Sequence, residues 1–271
     1  MNKIKNKVII KDNYVIKNKN DKLIELYDFL DSRGFDYHPK IIDYDDKYIK
    51  SEYIENKTYH EISKGVELIK TVSLLHYKTL HYKEVSKNKY RKIYDKISSN
   101  IEYLKKYYFN LITDIEDEVF MSPSHYLFAR NYSSIDSSLK YASTTLKKWF
   151  NIVSSKSKER VCVVHNNLSL DHFIKGDKNY LISFDNSLVD TPVLDLYNFY
   201  KKDGFKLDFN YLLKEYSQNI ELLSEEKMLL NILISIPPKI TEVNDEYLNC
   251  KNIKNALNYI YSGISIVNEN K

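Results

Sequence analysis

A short polar loop between two apolar runs decides the fold of this chain. The loop reads H-N-N-L-S-L-D-H-F-I over His165–Ile174 and follows the apolar run Arg160–Val164. A second run, Asn179–Phe184, ends at Asp185, and T-P-V-L-D-L follows at Thr191–Leu196. Both runs are rich in β-branched, aliphatic and aromatic residues, which predicts a strand on each side of the loop. Histidine, amide and carboxylate side chains presented between two strands are typical of a functional loop.

The composition is that of a globular protein and gives no indication of nucleic-acid binding. The 271 residues are 43% hydrophobic and 29% charged, which suffices to bury a core. With 41 basic and 37 acidic residues, the net charge of +4 is too even to favour nucleic acid as a partner. The two cysteines, Cys162 and Cys250, indicate neither a disulfide framework nor a zinc site. We expect a cytoplasmic protein, since Met1–Lys11 lacks a signal-peptide pattern and no apolar run is long enough to span a membrane.

The first 55 residues predict a small α+β unit. Two β-branched runs joined by the turn pair Asp12-Asn13 predict a β-hairpin. Apolar residues at helical spacing then predict one helix, and two more strand patterns follow. The predicted elements are strands at Lys7–Lys11 and Tyr14–Lys17, a helix capped by Asp21 and ending near Gly34, and strands at Lys40–Tyr44 and Tyr48–Ile54.

Residues 56–271 are predicted to be mostly helical. Apolar residues recur there at i, i+3 and i+4 steps, and no Pro- or Gly-rich linker interrupts them. The segment Glu116–Ser134 is predicted to be irregular, and the chain from Asp195 onward to be helical. The remaining predicted helices span Glu61–His81, Tyr90–Ile112 and Ser138–Val153.

The functional loop and the stretches after it resemble the aminoglycoside phosphotransferase and choline kinase family, and most closely its spore-coat (CotS-type) branch. Members of the family carry H-G-D-x-x-x-x-N, then an I-D-F-D or I-D-W-E strand end, then D-P-x-x-D-L. On this pattern His165 keeps the histidine, while Asn166 stands at the glycine. Asn167 stands at the catalytic aspartate, and His172 stands at the metal-binding asparagine.

The resemblance assigns further positions outside the loop. Ser183 stands at the first, metal-binding aspartate of the strand end, whereas Asp185 keeps the second acid. Asp195 keeps the aspartate that opens the next helix. Lys17 and Glu25 stand where the family places the strand lysine and its helical glutamate partner, which serve the nucleotide.

The resemblance implies an α+β, protein-kinase-like bilobal fold. A small, truncated, β-rich N-lobe would cover residues 1–55, and a larger, mostly helical C-lobe over residues 56–271 would carry the functional loop. The stretch Leu74-Leu75-His76 looks like the L-x-x-L-H helix of the family. If the resemblance holds, Lys17 and Asp185 should lie on the same side of the molecule.

Several groups that phosphoryl transfer needs are replaced in this chain. The amide of Asn167 has no useful proton affinity and cannot act as a general base. Ser183 offers a neutral hydroxyl and His172 a nitrogen, whereas Mg²⁺ prefers carboxylate and water oxygens. No glycine precedes Gly34, so the N-terminal segment has no glycine-rich phosphate loop. We expect a catalytically degenerate protein with no firm cofactor, acting as a binding or scaffolding module for a protein or a small molecule in the inter-lobe cleft.

Other interpretations of the same residues remain open. An active small-molecule phosphotransferase, with ATP and Mg²⁺ as cofactors, would need a metal site rebuilt from Asp171, Asp185 and Asp190. Lys17 could equally be an ordinary exposed strand lysine, and Asp185 an ordinary strand-end cap. The basic-aromatic stretch Tyr103–Tyr108 allows stacking on single-stranded nucleic acid, although its spacing is more typical of an amphipathic helix.

The loop also has a structural interpretation. Asparagine and aspartate side chains commonly bond neighbouring backbone groups in turns. If the loop no longer transfers phosphate, we expect Asn166, Asn167 and Asp171 to form a hydrogen-bonded latch that keeps it ordered without a metal.

Overall fold

The computed structural model describes residues 8–11, 13–57, 60–86 and 88–269. The chain is a mixed α+β protein with a small antiparallel sheet near its N-terminus and a larger helical part, as predicted. Its residues form two compact units. The first comprises Met1–His81, Arg160–Phe199 and Tyr211–Glu221, and the second comprises Tyr82–Glu159, Tyr200–Asn210 and Leu222–Lys271. The boundary expected after residue 55 falls inside the first unit and stays a prediction.

A four-stranded antiparallel sheet opens the first unit. Its strands are β1 (Ile9–Lys11), β2 (Tyr14–Asn18), β3 (Ile41–Tyr44) and β4 (Tyr48–Glu52), in the order β1-β2-β4-β3. The predicted hairpin is confirmed where it is described, with Ile9 opposite Ile16. Lys7, which begins the predicted first strand, and Asp12, in the predicted turn, lie outside the described residues. The central pairing of β2 with β4 places Lys17 opposite Ile49, so both sit in the middle of the sheet.

Helix α1 (Asp21–Ser32) follows β2 and packs its apolar side chains into the first unit. Leu23, Tyr27 and Leu30 are buried. The expected cap at Asp21 is wrong by one residue, because Asn20 occupies the N-cap and Asp21 is the first helical residue. A carboxylate in the first turn still favours the helix through the helix dipole. The predicted end at Gly34 is confirmed, since its positive φ of 69° lets its N–H reach the Asp31 carbonyl.

The rest of the first unit contributes the segment that carries the functional loop. Its elements are α2 (Glu61–Thr79), β6 (Lys158–Val164), β7 (Phe173–Lys175), β8 (Asn179–Leu181), β9 (Leu188–Asp190), α5 (Val193–Lys202) and α6 (Phe209–Tyr216). Strand β6 and helices α5 and α6 each include a few residues that are assigned to the second unit. Strand β6 pairs antiparallel with β9, and β7 pairs antiparallel with β8. The strand predicted to reach Phe184 ends at Leu181, because Ser183 adopts a left-handed backbone with φ of 66° and the chain then turns.

The second unit is mostly helical, and no described helix in the chain is both long and apolar enough to cross a bilayer. Its elements are β5 (His81–Glu84), α3 (Lys89–Glu116), α4 (Pro123–Val153), α7 (Ser224–Ile234) and α8 (Glu246–Glu269). The prediction of an irregular segment over Glu116–Ser134 is wrong from Pro123 onward, because α4 begins there. Ser122 caps it by accepting the His125 N–H, and the buried stripe continues from Leu139 back to Phe128.

Tyr107 and Tyr108 on α3 have structural partners elsewhere in the second unit. The hydroxyl of Tyr107 donates to the Ile240 carbonyl at 2.6 Å, and that of Tyr108 donates to the Pro238 carbonyl at 2.5 Å. Lys239 lies over the Tyr107 ring at 4.4 Å from its centroid. Tyr107 and Tyr108 therefore secure the chain at residues 238–240, which removes them from the nucleic-acid interpretation.

His125 links the start of α4 to two carboxylates. Its Nδ1 lies 2.7 Å from Glu118 Oε1, and its Nε2 lies 2.8 Å from Glu242 Oε1. The Glu118 contact raises the pKa of His125 above its ordinary value; burial opposes this, and Glu242 adds to it. The folded chain therefore binds this proton more tightly than the unfolded chain does.

We predict that the contribution of His125 to stability depends on pH. Because its folded pKa is raised, the stabilisation is complete below about pH 6.5 and is lost as the pH rises through the folded value. The substitution His125→Gln should lower the unfolding free energy by less than about 1 kcal/mol at low pH and by progressively less above neutrality. Urea unfolding across this range measures the effect, with the exposed His60→Gln as control. An equal loss at low and high pH would contradict the prediction.

Candidate functional site

The side chain of Asp195 anchors the start of the functional loop through hydrogen bonds. It lies in the first turn of α5 and is fully buried. Its two carboxylate oxygens accept the backbone N–H groups of His165 and Asn166, each at 2.7 Å. Asp195 therefore ties down the start of the loop, and it does so from inside the helix rather than as its N-cap.

A buried histidine and tyrosine complete this hydrogen-bond network. His76 on α2 places Nε2 3.1 Å from Asp195 Oδ2 and Nδ1 2.8 Å from the Tyr216 hydroxyl of α6. Burial would raise the pKa of Asp195, but the His76 hydrogen bond, the nearby histidines and the loop N–H together hold it below its usual value. The carboxylate is therefore ionised and satisfied at neutral pH, as a buried charge must be.

The loop leaves β6 through a left-handed residue. Asn166 has φ of 58°, a conformation that asparagine tolerates better than most residues, and it stands where the family has glycine. Its Nδ2 donates to the Asn186 carbonyl at 3.1 Å, and its Oδ1 accepts from Asn198 Nδ2 at 3.4 Å. The Asn166 side chain thus bridges two segments of the first unit, as the latch hypothesis requires of it.

His172 closes the loop on itself. Its Nδ1–H donates to the Asn167 carbonyl at 2.6 Å and lies 3.3 Å from the Ser169 hydroxyl. Its backbone carbonyl accepts the Ile182 N–H at 3.0 Å. One ring nitrogen is therefore used within the loop, which orients the imidazole toward its own backbone.

Edge-on and tilted ring contacts connect α1 to the loop. In this aromatic column, Tyr27 meets the Phe184 ring edge-on at 5.8 Å between centroids, Phe184 meets His165 at 4.8 Å, and His165 meets His172 at 5.7 Å. The Nε2–H of His165 also donates to the Ile182 carbonyl at 2.7 Å. Burial, with the charge of Asp185, raises the pKa of the Tyr27 phenol. The aromatic column fixes the position of the loop relative to helix α1 and, through this helix, relative to the small sheet.

Lys17 and Asp185 meet, as the family resemblance requires. Lys17 Nζ lies 3.5 Å from Asp185 Oδ2, and about a third of each side chain is exposed. Glu25 lies on the exposed face of α1. The nucleotide-binding roles expected for Lys17 and Glu25 stay predictions, but the lysine that would hold phosphates is engaged with Asp185.

The family's magnesium does not fit the side chains present here. At its three expected ligand positions stand a hydroxyl at Ser183, an imidazole engaged with its own loop at His172, and a carboxylate paired with Lys17 at Asp185. A hard dication needs several oxygen ligands, mostly anionic. Among the described residues no three His, Cys, Asp or Glu side chains are grouped as a metal site would need.

The acids considered for a rebuilt metal site serve elsewhere or face solvent. Asp171 is exposed on the short 3₁₀ turn Leu170–His172. The Asp190 carboxylate accepts the Thr191 N–H at 2.8 Å, next to the start of α5. The structure does not bring these two acids together with Asp185 in one cluster. The role of Asp171 as a displaced acid stays a prediction, and so does its expected role in the latch.

An apolar cavity of about 310 Å³ lies beside Lys17. All four strands of the sheet and helix α1 contribute lining side chains. Others come from β7, from residues 52–54 and from the two residues after β8. Aliphatic side chains dominate the lining, and Lys17, Glu52 and Ser183 are among its polar groups. The lining includes Val15, Ile41, Ile49, Ile54, Ile174 and Ile182. The cavity is large enough for a flat heterocycle but offers few charges.

The backbone of Ile54, a residue that lines the cavity, supplies polar groups beside it. Neither the N–H nor the carbonyl of Ile54 has a hydrogen-bond partner among the described residues, whereas Tyr53 donates to Asn13 and Lys57 to Lys175. A backbone donor and acceptor left open beside an apolar cavity can recognise the edge of a heteroaromatic ring. The cavity therefore offers a site for a flat ring.

Sequence reasoning missed several residues of this site. Asn198 lies three residues after Asp195 on α5, so helical spacing could have placed the two on one face. Tyr216 is 140 residues from its partner His76, and no local pattern marks it. Tyr27 occupies one of the apolar positions of α1, and its ring contact with Phe184 arises from packing alone.

Comparison with solved structures identifies the fold. An aminoglycoside phosphotransferase from Alicyclobacillus acidocaldarius superposes with a TM-score of 0.64 at 8% identity, over 97% of this chain and 88% of that chain. Spectinomycin phosphotransferase APH(9)-Ia in complex with ADP and spectinomycin gives 0.50 at 13% identity, over 96% and 92%. Its AMP-bound complex gives 0.51 at 14% identity, over 93% and 87%. No model of a known protein family matches the sequence, and no curated protein matches it.

These likenesses confirm the predicted fold, the kinase-like α+β fold of aminoglycoside phosphotransferases. At such low identity they bear on the fold alone. The closer affinity to the spore-coat branch stays a prediction, and so do the roles assigned to single residues of the loop.

Proposed function

We propose that this chain is a catalytically degenerate protein of kinase-like fold that acts as a binding module for a small heteroaromatic molecule in the cavity beside Lys17. The observation that carries the proposal is an apolar cavity beside Lys17 in a chain whose expected catalytic positions are replaced or engaged. Asn167 has no proton affinity, Ser183 has no charge, and Asp185 is paired with Lys17.

The shape and chemistry of the cavity support an uncharged ring as its occupant. Aliphatic side chains on two sides favour a flat, apolar face, and the open Ile54 peptide supplies one donor and one acceptor for a polar edge. A triphosphate would need cations and backbone N–H groups near Ser183. The Lys17 ammonium could be released to it only by leaving the Asp185 carboxylate unpaired.

The alternative, an active phosphotransferase with a rearranged metal site, has no comparable support. It requires Asp171 and Asp190 to join Asp185 around a cation. Asp171 is exposed on its turn and Asp190 accepts the N–H of the next residue.

We predict that magnesium adds nothing to nucleotide binding. In a thermal-shift titration, adenosine should raise Tm slightly, and millimolar ATP should raise it no further with Mg²⁺ than without. A ligand at a hundredfold excess over its Kd adds about 2.7 kcal/mol to stability. In a chain of this size each kcal/mol corresponds to roughly 2–4 °C. A magnesium-dependent shift of several degrees would overturn the degenerate assignment.

The same titration locates the binding site. The substitution Ile174→Trp fills the cavity from β7 and should abolish the adenosine shift. Ile42→Trp is a matched control, because Ile42 is 51% exposed on β3 and does not line the cavity. A shift that survives Ile174→Trp would place the ligand elsewhere, and the absence of any shift with the wild-type chain would reject a purine as the occupant.

A further inference from the structure

The loop that joins α3 to α4 presents apolar side chains to solvent. Val119 is 88% exposed, Phe120 is 89% exposed and Met121 is 40% exposed. Asp117 and Glu118 precede them, so the apolar tip has an acidic flank. Exposed apolar residues scattered singly are ordinary, but three in succession at a loop tip mark a contact surface. We call residues 117–121 the tip.

The tip is anchored at both of its ends. Glu118 contacts His125 at 2.7 Å. On the α4 side, Ser124 donates its backbone N–H and its hydroxyl to the Glu246 carboxylate at 2.5 and 2.9 Å. Ordering Phe120 on binding therefore costs less entropy than it would in a free loop.

A second feature of the same unit complements the tip. A groove of about 450 Å³ runs between the chain at residues 238–243 and α8. Its apolar wall includes Phe205, Ile240 and Tyr259, and Lys201 and Lys239 are its charged members. No acidic side chain is among the described residues that line it. An apolar groove with basic groups suits an apolar segment with an acidic flank.

The tip and the groove are neighbours within one molecule, yet the tip does not fill the groove. His125, which contacts Glu118 of the tip, also contacts Glu242, and Glu242 lies between the groove residues Thr241 and Val243. Val119 and Phe120 nevertheless remain almost fully exposed. We propose that the tip of one molecule occupies the groove of a second copy of this chain, and that the second copy returns the contact.

A two-fold arrangement follows from that proximity. When two complementary surfaces lie side by side on one molecule, a two-fold axis between them pairs each with its counterpart and closes the assembly. Phe120 and Val119 would enter the apolar part of the groove, and Asp117 would face Lys201 or Lys239. Two identical contacts form at once, which makes the dimer tighter than one tip–groove contact alone.

Sedimentation velocity from low to high micromolar concentration tests this. The wild-type chain should show a concentration-dependent monomer–dimer equilibrium. Phe120→Asp, which removes the apolar anchor, should weaken the association at least about tenfold, as loss of a central aromatic anchor does. Lys201→Glu should weaken it similarly, and Asn255→Trp, which blocks the groove from an exposed position on α8, serves if Lys201→Glu fails to fold.

Mixing the variants distinguishes a tip–groove contact from any other. The Phe120→Asp chain keeps an intact groove and the Lys201→Glu chain keeps an intact tip, so a mixture should recover one of the two contacts and associate more than either variant alone. Ile152→Asp, at the opposite end of α4 and 42% exposed, should leave association unchanged. A wild-type chain that stays monomeric throughout, or a mixture without recovery, would overturn the proposal.

Discussion

Replacing Asp195 with asparagine should lower the free energy of unfolding by about 3–5 kcal/mol, the usual cost of breaking a fully buried charged network. The carboxylate accepts from the His165 and Asn166 backbone and from His76. Asparagine keeps the shape but turns one acceptor into an NH₂ group that faces other N–H donors. Chemical unfolding followed by circular dichroism measures the loss.

The acid dependence of Asp195→Asn provides a second test. Because the pKa of Asp195 is lowered in the folded chain, its contribution is complete above the unfolded value of about 3.9 and is lost as the pH falls through the folded value. The difference between wild type and variant should therefore shrink in acid. The exposed Asp28→Asn on α1 is the control and should change stability by no more than about 0.5 kcal/mol. Equal losses for the two variants would show that the network does not hold the loop.

Changing Asn167 to aspartate should lower the unfolding free energy by about 1–3 kcal/mol, the cost of a polar group left without its partner. The side chain is half-buried in a loop whose backbone already rests on the Asp195 carboxylate. Asparagine can donate as well as accept, whereas an ionised aspartate only accepts and adds a charge. The variant should show no ATPase or kinase activity, because Ser183 still supplies no carboxylate for a metal.

Asn151→Asp, on the exposed surface of α4, is the matched control for an asparagine-to-aspartate change and should be neutral within about 0.5 kcal/mol. Unfolding free energies and coupled ATP-turnover assays on both variants settle the matter. If Asn167→Asp is neutral or stabilising and activates phosphotransfer, the site is a nearly functional kinase, and the latch and the proposed function are both wrong.

Local sequence patterns were enough to predict most of the secondary structure. The N-terminal hairpin and the helix ending at Gly34 agree with their expected positions, because turn residues and periodicity act over a few neighbours. The start of α4 was missed although Ser122-Pro123 is a clear N-terminal signal, since few of the residues after it are aliphatic. The early end of β8 was missed because nothing local requires Ser183 to adopt a left-handed conformation.

The sequence by itself determined which side-chain types stand at the positions that the family resemblance singles out. The identities of Asn167, His172 and Ser183 are read directly, and their consequences follow from proton affinity and ligand preference. The resemblance of the loop and of the stretch around Asp195 to one known family was also enough to predict the fold that comparison of structures confirms. These inferences depend on residue type and order, which a sequence states outright.

Tertiary structure alone decided how those residues are used. Lys17 pairs with Asp185 across 168 positions of chain, and His76 reaches Tyr216 across 140. The cavity beside Lys17 and the groove near Lys201 have walls drawn from distant segments. Such contacts are set by how helices and strands pack together, and packing depends on the whole chain at once. A residue's neighbours in sequence therefore say little about its neighbours in space.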